Sequence, residues 1–332
     1  MVRQNAPYFE DSAMQNPISR RQALQLGAAA AALPLVAGPS PAKAAAKADL
    51  AIGIATLGFS NYTNQQLAEE LAETGLKVIQ LFLNQTDSRY WKYNGRSDVS
   101  DLTAARCSAI ADAYRSKGIE IHSVGVYTNL IDPNEEERKA NLAYFDAMMK
   151  IGGDMGCKTF ITEAGHYHNA SEPEPPVAYH FQEPVWNMMV ATGKQLAEMA
   201  EARGATVLLE AFFRGFLASA KRTRLYIEEI GSPRIRSLLD PANILEINDL
   251  DEMFNQLGPY IDCLHAKDRK LHVDRGVAAG QGDVDYVQFV KLTAERTPKA
   301  PLILEYVGPD NYKQALAHLQ NAIREAWATG SR

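Results

Sequence analysis

The 332-residue chain has no block of basic residues; 34 Lys and Arg are interspersed with 40 Asp and Glu, giving a formal charge of -6. Such a surface lacks the electrostatic footprint that nucleic acid requires, so no nucleic-acid partner is expected. Cysteine is scarce as well. Cys107, Cys157 and Cys263 are odd in number, far apart and set in apolar contexts such as "IDCLHA", which argues against a disulfide framework and for buried packing residues. The apolar stretch from Leu26 to Gly38 is too short and too rich in Ala and Gly for a stable membrane span. A strand–Gly-x-Gly-x-x-Gly–helix unit is also missing, which disfavours an open, doubly wound nucleotide-binding sheet.

What the chain holds is 46% hydrophobic residues against 22% charged, enough for one large buried core. Residues 1–44 stand apart. "ISRRQALQLGAAAAALPLVAGPSPAKA" places the twin arginines Arg20 and Arg21 before the apolar stretch, and Ala42-Lys43-Ala44 offers a small-x-small cleavage site. This resembles a twin-arginine export signal, so a periplasmic or secreted product is expected, with residues 45–332 as the catalytic domain. Removing the segment takes away four positive charges (Arg3, Arg20, Arg21, Lys43) and two negative ones (Glu10, Asp11), which moves the formal charge from -6 to -8.

From Asp49 onward, eight short β-type runs alternate with longer segments of helical periodicity. The runs are Leu50–Gly58, Lys77–Leu83, Ile119–Val126, Cys157–Gly165, Thr206–Phe212, Ile235–Asp240, Ile261–Asp268 and Pro301–Gly308. Helix-type segments such as Asn64–Gly75 and Leu102–Gly118 close on a glycine, as helices often do. Near-continuous apolar strands alternating with helices predict an α/β fold of the (β/α)8 TIM-barrel type. After the fourth run, His166–Pro184 is rich in Pro, His and Glu and unpatterned, which suits either a lid or a surface loop.

In such a barrel the active face is built from the C-terminal ends of the strands. Within the fifth to eighth runs the strands are expected to end at Glu210, Asp240, His265 and Glu305. Singly, each has a structural reading: a rim carboxylate, a packing histidine, or, for Asp240 ahead of Pro241, a turn former. Four in succession point elsewhere. Three carboxylates beside apolar residues would be desolvated and would repel one another unless a cation joined them. The oxygen-rich set with one imidazole suits one divalent metal ion, Mn2+, Co2+, Mg2+ or Zn2+, with positions left for substrate.

"VLLEAF", "LLDPANIL", "LHAKD", "AAGQGDVDY" and "LILEYVG" together resemble the xylose isomerase-like barrel superfamily, within it the sugar phosphate isomerase/epimerase group, over essentially all of residues 49–330. The resemblance implies that Glu210, Asp240, His265 and Glu305 bind the metal. It also implies that Glu210 and Glu305 flank a small carbohydrate substrate, one removing and the other returning a proton beside its carbonyl. Weaker candidates for substrate binding are Glu163, His166, Lys267, Asn243 and Arg214, with Asp268, Arg269 and Trp186 behind them; structural roles are equally open to these.

Two positions depart from the ketose 3-epimerases of this superfamily, which carry a histidine and an arginine where this chain has Asn243 and Leu271. A metal-dependent isomerase or epimerase acting by enolisation on a non-phosphorylated or oxidised sugar is the leading expectation. A lyase or hydrolase of 3-keto-glycosides, or a keto-cyclitol dehydratase, would use the same site. A type IV apurinic endonuclease is disfavoured by the acidic charge and by only seven histidines. A non-catalytic sugar-binding barrel is the remote alternative, and a homo-oligomer is compatible with all of these.

Overall fold

The computed structural model describes residues 49–167 and 178–328. The export-signal reading of residues 1–44, and residues 168–177 of the lid-or-loop segment, lie outside the described residues. Among the described residues nine strands form: β1 (Ile52–Ala55), β2 (Val78–Leu81), β3 (Glu120–Gly125), β4 (Thr159–Thr162), β5 (Thr206–Glu210), β6 (Ile235–Leu239), β7 (Ile261–Lys270), β8 (Asp274–Ala278) and β9 (Leu302–Leu304). All except β8 pair in parallel with both neighbours, β9 returns to β1, and β6 pairs with β7, so eight strands close into a barrel. This is the expected (β/α)8 fold.

The helices form where periodicity, caps and stop signals agree. In α1 (Asn64–Glu73) Thr63 and Gln66 make a reciprocal capping box, and Gly75 beyond its end has φ of 75°. In α2 (Ala104–Arg115) Thr103 caps the start, and Gly118 with φ of 70° follows the end. Seven further helices complete the described set: α3 (Glu135–Asp154), α4 (Glu183–Arg203), α5 (Ala220–Ile230), the single turn α6 (Pro241–Ile244), α7 (Leu250–Leu257), α8 (Tyr286–Arg296) and α9 (Tyr312–Ala328). None is long and apolar enough to cross a membrane.

Strand side chains alternate between two cores. Ile161, Leu208, Leu238, Cys263 and Ile303 belong to the cluster that fills the barrel interior. Their neighbours Phe160, Val207, Leu209, Leu239, Leu264, Leu302 and Leu304 pack in the layer beneath the helices. All three cysteines are free and buried.

Strand β7 differs from expectation. His265 is not at its end, because the strand runs on to Lys270 and pairs there with β8 in an antiparallel ribbon. Within the barrel, β7 contacts β9 only over Leu264–Ala266, so His265 still stands at the barrel rim.

Candidate metal centre and substrate cavity

The alternation that fills the barrel also aims the site. Glu210, Asp240, His265 and Glu305 each lie two residues past an interior residue, Leu208, Leu238, Cys263 and Ile303 respectively, and so continue the same inward face. Around the barrel the strand order β5, β6, β7, β9 makes them neighbours, with the two glutamates on the flanks. All four are buried, and one ligand atom from each lies within 4.8 Å of the others. Opposite ligands of a divalent ion, each about 2.0–2.4 Å from it, span such a distance.

Two atoms in this quartet have their hydrogen-bonding capacity unfilled. His265 Nε2 lies 2.6 Å from Gln80 Oε1, an acceptor, so this nitrogen donates. Nδ1 then faces Glu210 Oε1 at 3.3 Å, Glu305 Oε2 at 3.4 Å and Asp240 Oδ2 at 3.6 Å, with no hydrogen-bond partner. An imidazole fixed through one nitrogen, with the other aimed at carboxylates, is the arrangement of a metal-ligating histidine. Asp240 Oδ2 also lacks a hydrogen bond, although Lys267 Nζ is only 2.7 Å away; the contact is one of charge, without hydrogen-bond alignment.

Charge balance agrees. Three carboxylates face one buried ammonium, Lys267, which also lies 3.2 Å from Glu305 Oε2. With a neutral His265, a divalent ion brings the group to zero. Without one, burial by itself would lower the His265 imidazole, but Glu305, Glu210 and Asp240 outweigh it and raise its pKa to about 10. Burial would likewise raise Asp240, yet Lys267 and His265 hold it at about 2. The residues therefore fit a divalent cation.

The surrounding groups orient the ligands. Tyr127 donates to Glu210 Oε2 at 2.6 Å, and Asn243 Nδ2 donates to Glu210 Oε1 at 2.8 Å. Asn243 Oδ1 accepts from Lys267 at 2.7 Å, so this amide links Glu210 to the lysine. Asp240 also caps α6, accepting from the Asn243 N–H at 3.2 Å. The turn-former and ligand readings of Asp240 thus coexist.

Above the quartet opens a cavity of about 480 Å3, lined by Glu210, Glu305, Asn243, Lys267, Glu163 and His166 together with aromatic residues. Of the expected substrate contacts, Arg214 is not in this lining; its guanidinium lies 5.3 Å over the Phe213 ring. Trp186 is outside the lining too, donating to Glu229 at 2.7 Å. Arg269 is buried against Glu246 and Phe213. Asp268 holds the Gly280–Tyr286 loop, accepting from the N–H groups of Gly280 and Val284 at 3.1 and 3.0 Å.

The structure adds residues that the sequence reading missed. Phe82, Trp91, Tyr93 and Tyr127 form a mutually packed aromatic wall. Tyr306 adopts a left-handed φ of 56°, and its ring lies 4.5 Å from Lys267 Nζ. Gly276 makes room for it, since a Cβ there would come within 2.5 Å of the ring. Gln80 carried a signal, a lone amide inside the apolar run "KVIQLFL"; "WKYNG" carried only its aromatic content.

A closed parallel barrel with a buried quartet of Glu, Asp and His side chains at its C-terminal rim defines a (β/α)8 barrel with a site that could hold a divalent metal ion. The chain belongs to the xylose isomerase-like TIM barrel family, whose sequence profile matches residues 68–322. No curated protein matches it significantly in sequence. Among solved structures, a D-tagatose 3-epimerase-like protein superposes with a TM-score of 0.68 at 15% identity, covering 85% of this chain and 100% of its own. The 3-keto-D-glucoside 4-epimerase from E. coli gives 0.63 at 16% identity, covering 82% and 99%. A xylose isomerase-like TIM barrel protein from Mycobacterium smegmatis, in complex with magnesium, gives 0.62 at 16% identity, covering 84% and 97%. At such identities the likeness establishes the fold alone.

Proposed function

We propose that this protein is a metal-dependent enzyme that moves a proton on the carbon beside a carbonyl group of a non-phosphorylated or oxidised sugar, with isomerisation or epimerisation as the outcome. One observation carries the reading: four buried ligand atoms lie within 4.8 Å of one another, and the two glutamates among them, Glu210 and Glu305, line a cavity of about 480 Å3. A divalent ion, when bound, supplies a Lewis acid that draws electron density from the carbonyl.

The protein's own groups handle the proton. Glu210 and Glu305 flank the quartet, so one removes the proton and the other returns it, on the same or the opposite face. Burial raises the Glu305 carboxyl, and the neighbouring His265 and Lys267 do not bring it back, a direction that suits a group accepting a proton from carbon. Tyr127 and Asn243 hold Glu210 in place from two sides. The aromatic wall offers apolar faces to the C–H side of a sugar ring. Lys267 is engaged by Asp240 and Glu305, an arrangement that serves the quartet in preference to a phosphate. The twin-arginine segment supports the same substrate choice, because phosphorylated sugars are scarce outside the cytoplasm.

The test is to incubate metal-loaded protein in deuterated water with free sugars, keto-sugars and 3-keto-glycosides. Deuterium is expected at the carbon beside the carbonyl, and Glu305→Gln is expected to fold and to slow incorporation about 100-fold or more. Failure to bind any divalent ion, or undiminished labelling by Glu305→Gln, would overturn the reading.

A further inference from the structure

The cavity wall carries a second proton-handling group apart from the quartet. The Tyr93 hydroxyl, on the loop after β2, lies 2.8 Å from Glu163 Oε2 and 2.5 Å from His166 Nε2. That same histidine nitrogen is 3.0 Å from Glu163 Oε2. Three side chains from two distant segments therefore meet within hydrogen-bonding distance in one cluster.

The local backbone is built to hold it. The His166 N–H donates to Asn94 Oδ1 at 2.9 Å while Asn94 Nδ2 donates to the His166 carbonyl at 3.1 Å, and Asn94 turns the loop with φ of 52°. Glu163 lies two residues past the interior residue Ile161, so it continues the inward face as the quartet does. Tyr93 packs against Tyr127 with ring centroids 6.3 Å apart, and Tyr127 donates to Glu210. The cluster thus stands one aromatic ring from the ligand quartet, with Tyr93, Glu163 and His166 all lining the same cavity.

Proton transfer between two glutamates has no need of such a cluster, whereas a departing oxygen does. Resting on the enolisation reading above, we propose that Tyr93 is the general acid for a leaving oxygen, so that this site, besides isomerising or epimerising a sugar that has no leaving group beside the enolised carbon, eliminates an alcohol from a 3-keto-glycoside. Glu305 or Glu210 takes the proton from C2, and the C–H electron pair becomes the C1=C2 double bond. The C1–O bond breaks, and the leaving oxygen keeps that electron pair and takes the Tyr93 proton. The products are a 1,2-unsaturated 3-keto sugar and a free alcohol, with no net oxidation or reduction. His166 and Glu163 are positioning residues: Nε2 returns a proton to the tyrosine oxygen, Glu163 steadies the imidazole, and water restores the cluster. Although half of Tyr93 is exposed, desolvation of its hydroxyl and the Glu163 charge raise the phenol's pKa, so the hydroxyl carries its proton at neutral pH.

Two substrates deuterated at C2 test this, methyl and 4-nitrophenyl 3-keto-glucoside, with alcohol release and transfer of the C2 label to water both followed. Tyr93→Phe is expected to slow methanol release about 100-fold or more and nitrophenolate release less than about fivefold, because nitrophenolate departs without a proton. Transfer of label from the nitrophenyl substrate should stay within about twofold, and His166→Asn should shift the ratio of the two release rates in the same direction. Equal slowing with both substrates, or alcohol release absent from the unaltered enzyme while label is transferred, overturns the Tyr93 assignment alone. No transfer of label by the unaltered enzyme brings down the enolisation reading, and this one with it.

Discussion

Lys267 decides how much of the quartet's charge the protein balances by itself. Its ammonium is buried 2.7 Å from Asp240 Oδ2 and 3.2 Å from Glu305 Oε2, and these carboxylates raise its pKa although burial opposes them. Removing one partner of a buried pair costs about 3–5 kcal/mol, because the other charge is left uncompensated. Lys267→Met is therefore expected to lose about that much stability in urea unfolding of the chelator-treated protein, and clearly less once divalent metal is saturating. An equal loss in both states would show that lysine and metal do not share the task. The quartet to which Lys267 belongs was legible in sequence because a strand's period of two turns a run of apolar residues into an address. Tyr93 was not, since nothing local says that a loop residue meets Glu163 and His166 some 70 positions away. Arg214 shows the converse: it follows β5 as a substrate contact would, yet its guanidinium lies over Phe213.

At the scale of elements, the β7–β8 ribbon and the loop after it hang on Asp268. Its buried carboxylate accepts from the N–H groups of Arg269, Gly280 and Val284 at 2.8, 3.1 and 3.0 Å. Gly282 passes so close that a Cβ would meet the Arg269 carbonyl oxygen at 2.3 Å and Asp268 Oδ1 at 2.4 Å. Asp268→Ala leaves three donors unmatched, each bond to a charged acceptor being worth about 1.5–3 kcal/mol, so a loss of roughly 3 kcal/mol or more is expected in thermal or urea unfolding. Hydrogen exchange should speed up at Gly280 and Val284 while β2 and β3 stay protected; uniform acceleration would mean that Asp268 supports the whole barrel. The eight barrel strands were readable because their apolar runs, both faces covered, contrast with amphipathic helices. The ribbon was not readable: "KLHVDRGVA" is mostly polar, and its pairing comes from β7 overrunning the barrel. The first run shows a smaller difference. Its end is a 3-10 turn, Thr56–Gly58, where Gly58 abuts the Val307 carbonyl so closely that a Cβ would lie 2.0 Å from the oxygen.

Over the whole molecule, stability, metal and pH are linked through the barrel mouth. Asp240 is held at about 2, below its unfolded value of about 3.9, so its contribution is present above that unfolded value and lost as pH falls through about 2. His265 is raised to about 10 from about 6.5. Its contribution in the metal-free protein is complete below about 6.5 and disappears as pH rises through about 10. The chelator-treated protein should therefore lose Tm steadily from about pH 6.5 upward. A metal ligand must be unprotonated, so proton and ion compete for His265 Nδ1, and each unit of rising pH in that window favours the ion up to about tenfold. The Tm gain on adding saturating Mn2+ or Mg2+ is accordingly expected to be small near pH 6 and to widen toward pH 9, as the proton that substitutes for the ion becomes harder to hold. Differential scanning fluorimetry with and without chelator across that range measures it. A gain that is flat or shrinks with pH would mean that the three carboxylates do not act on His265 and the ion as one site.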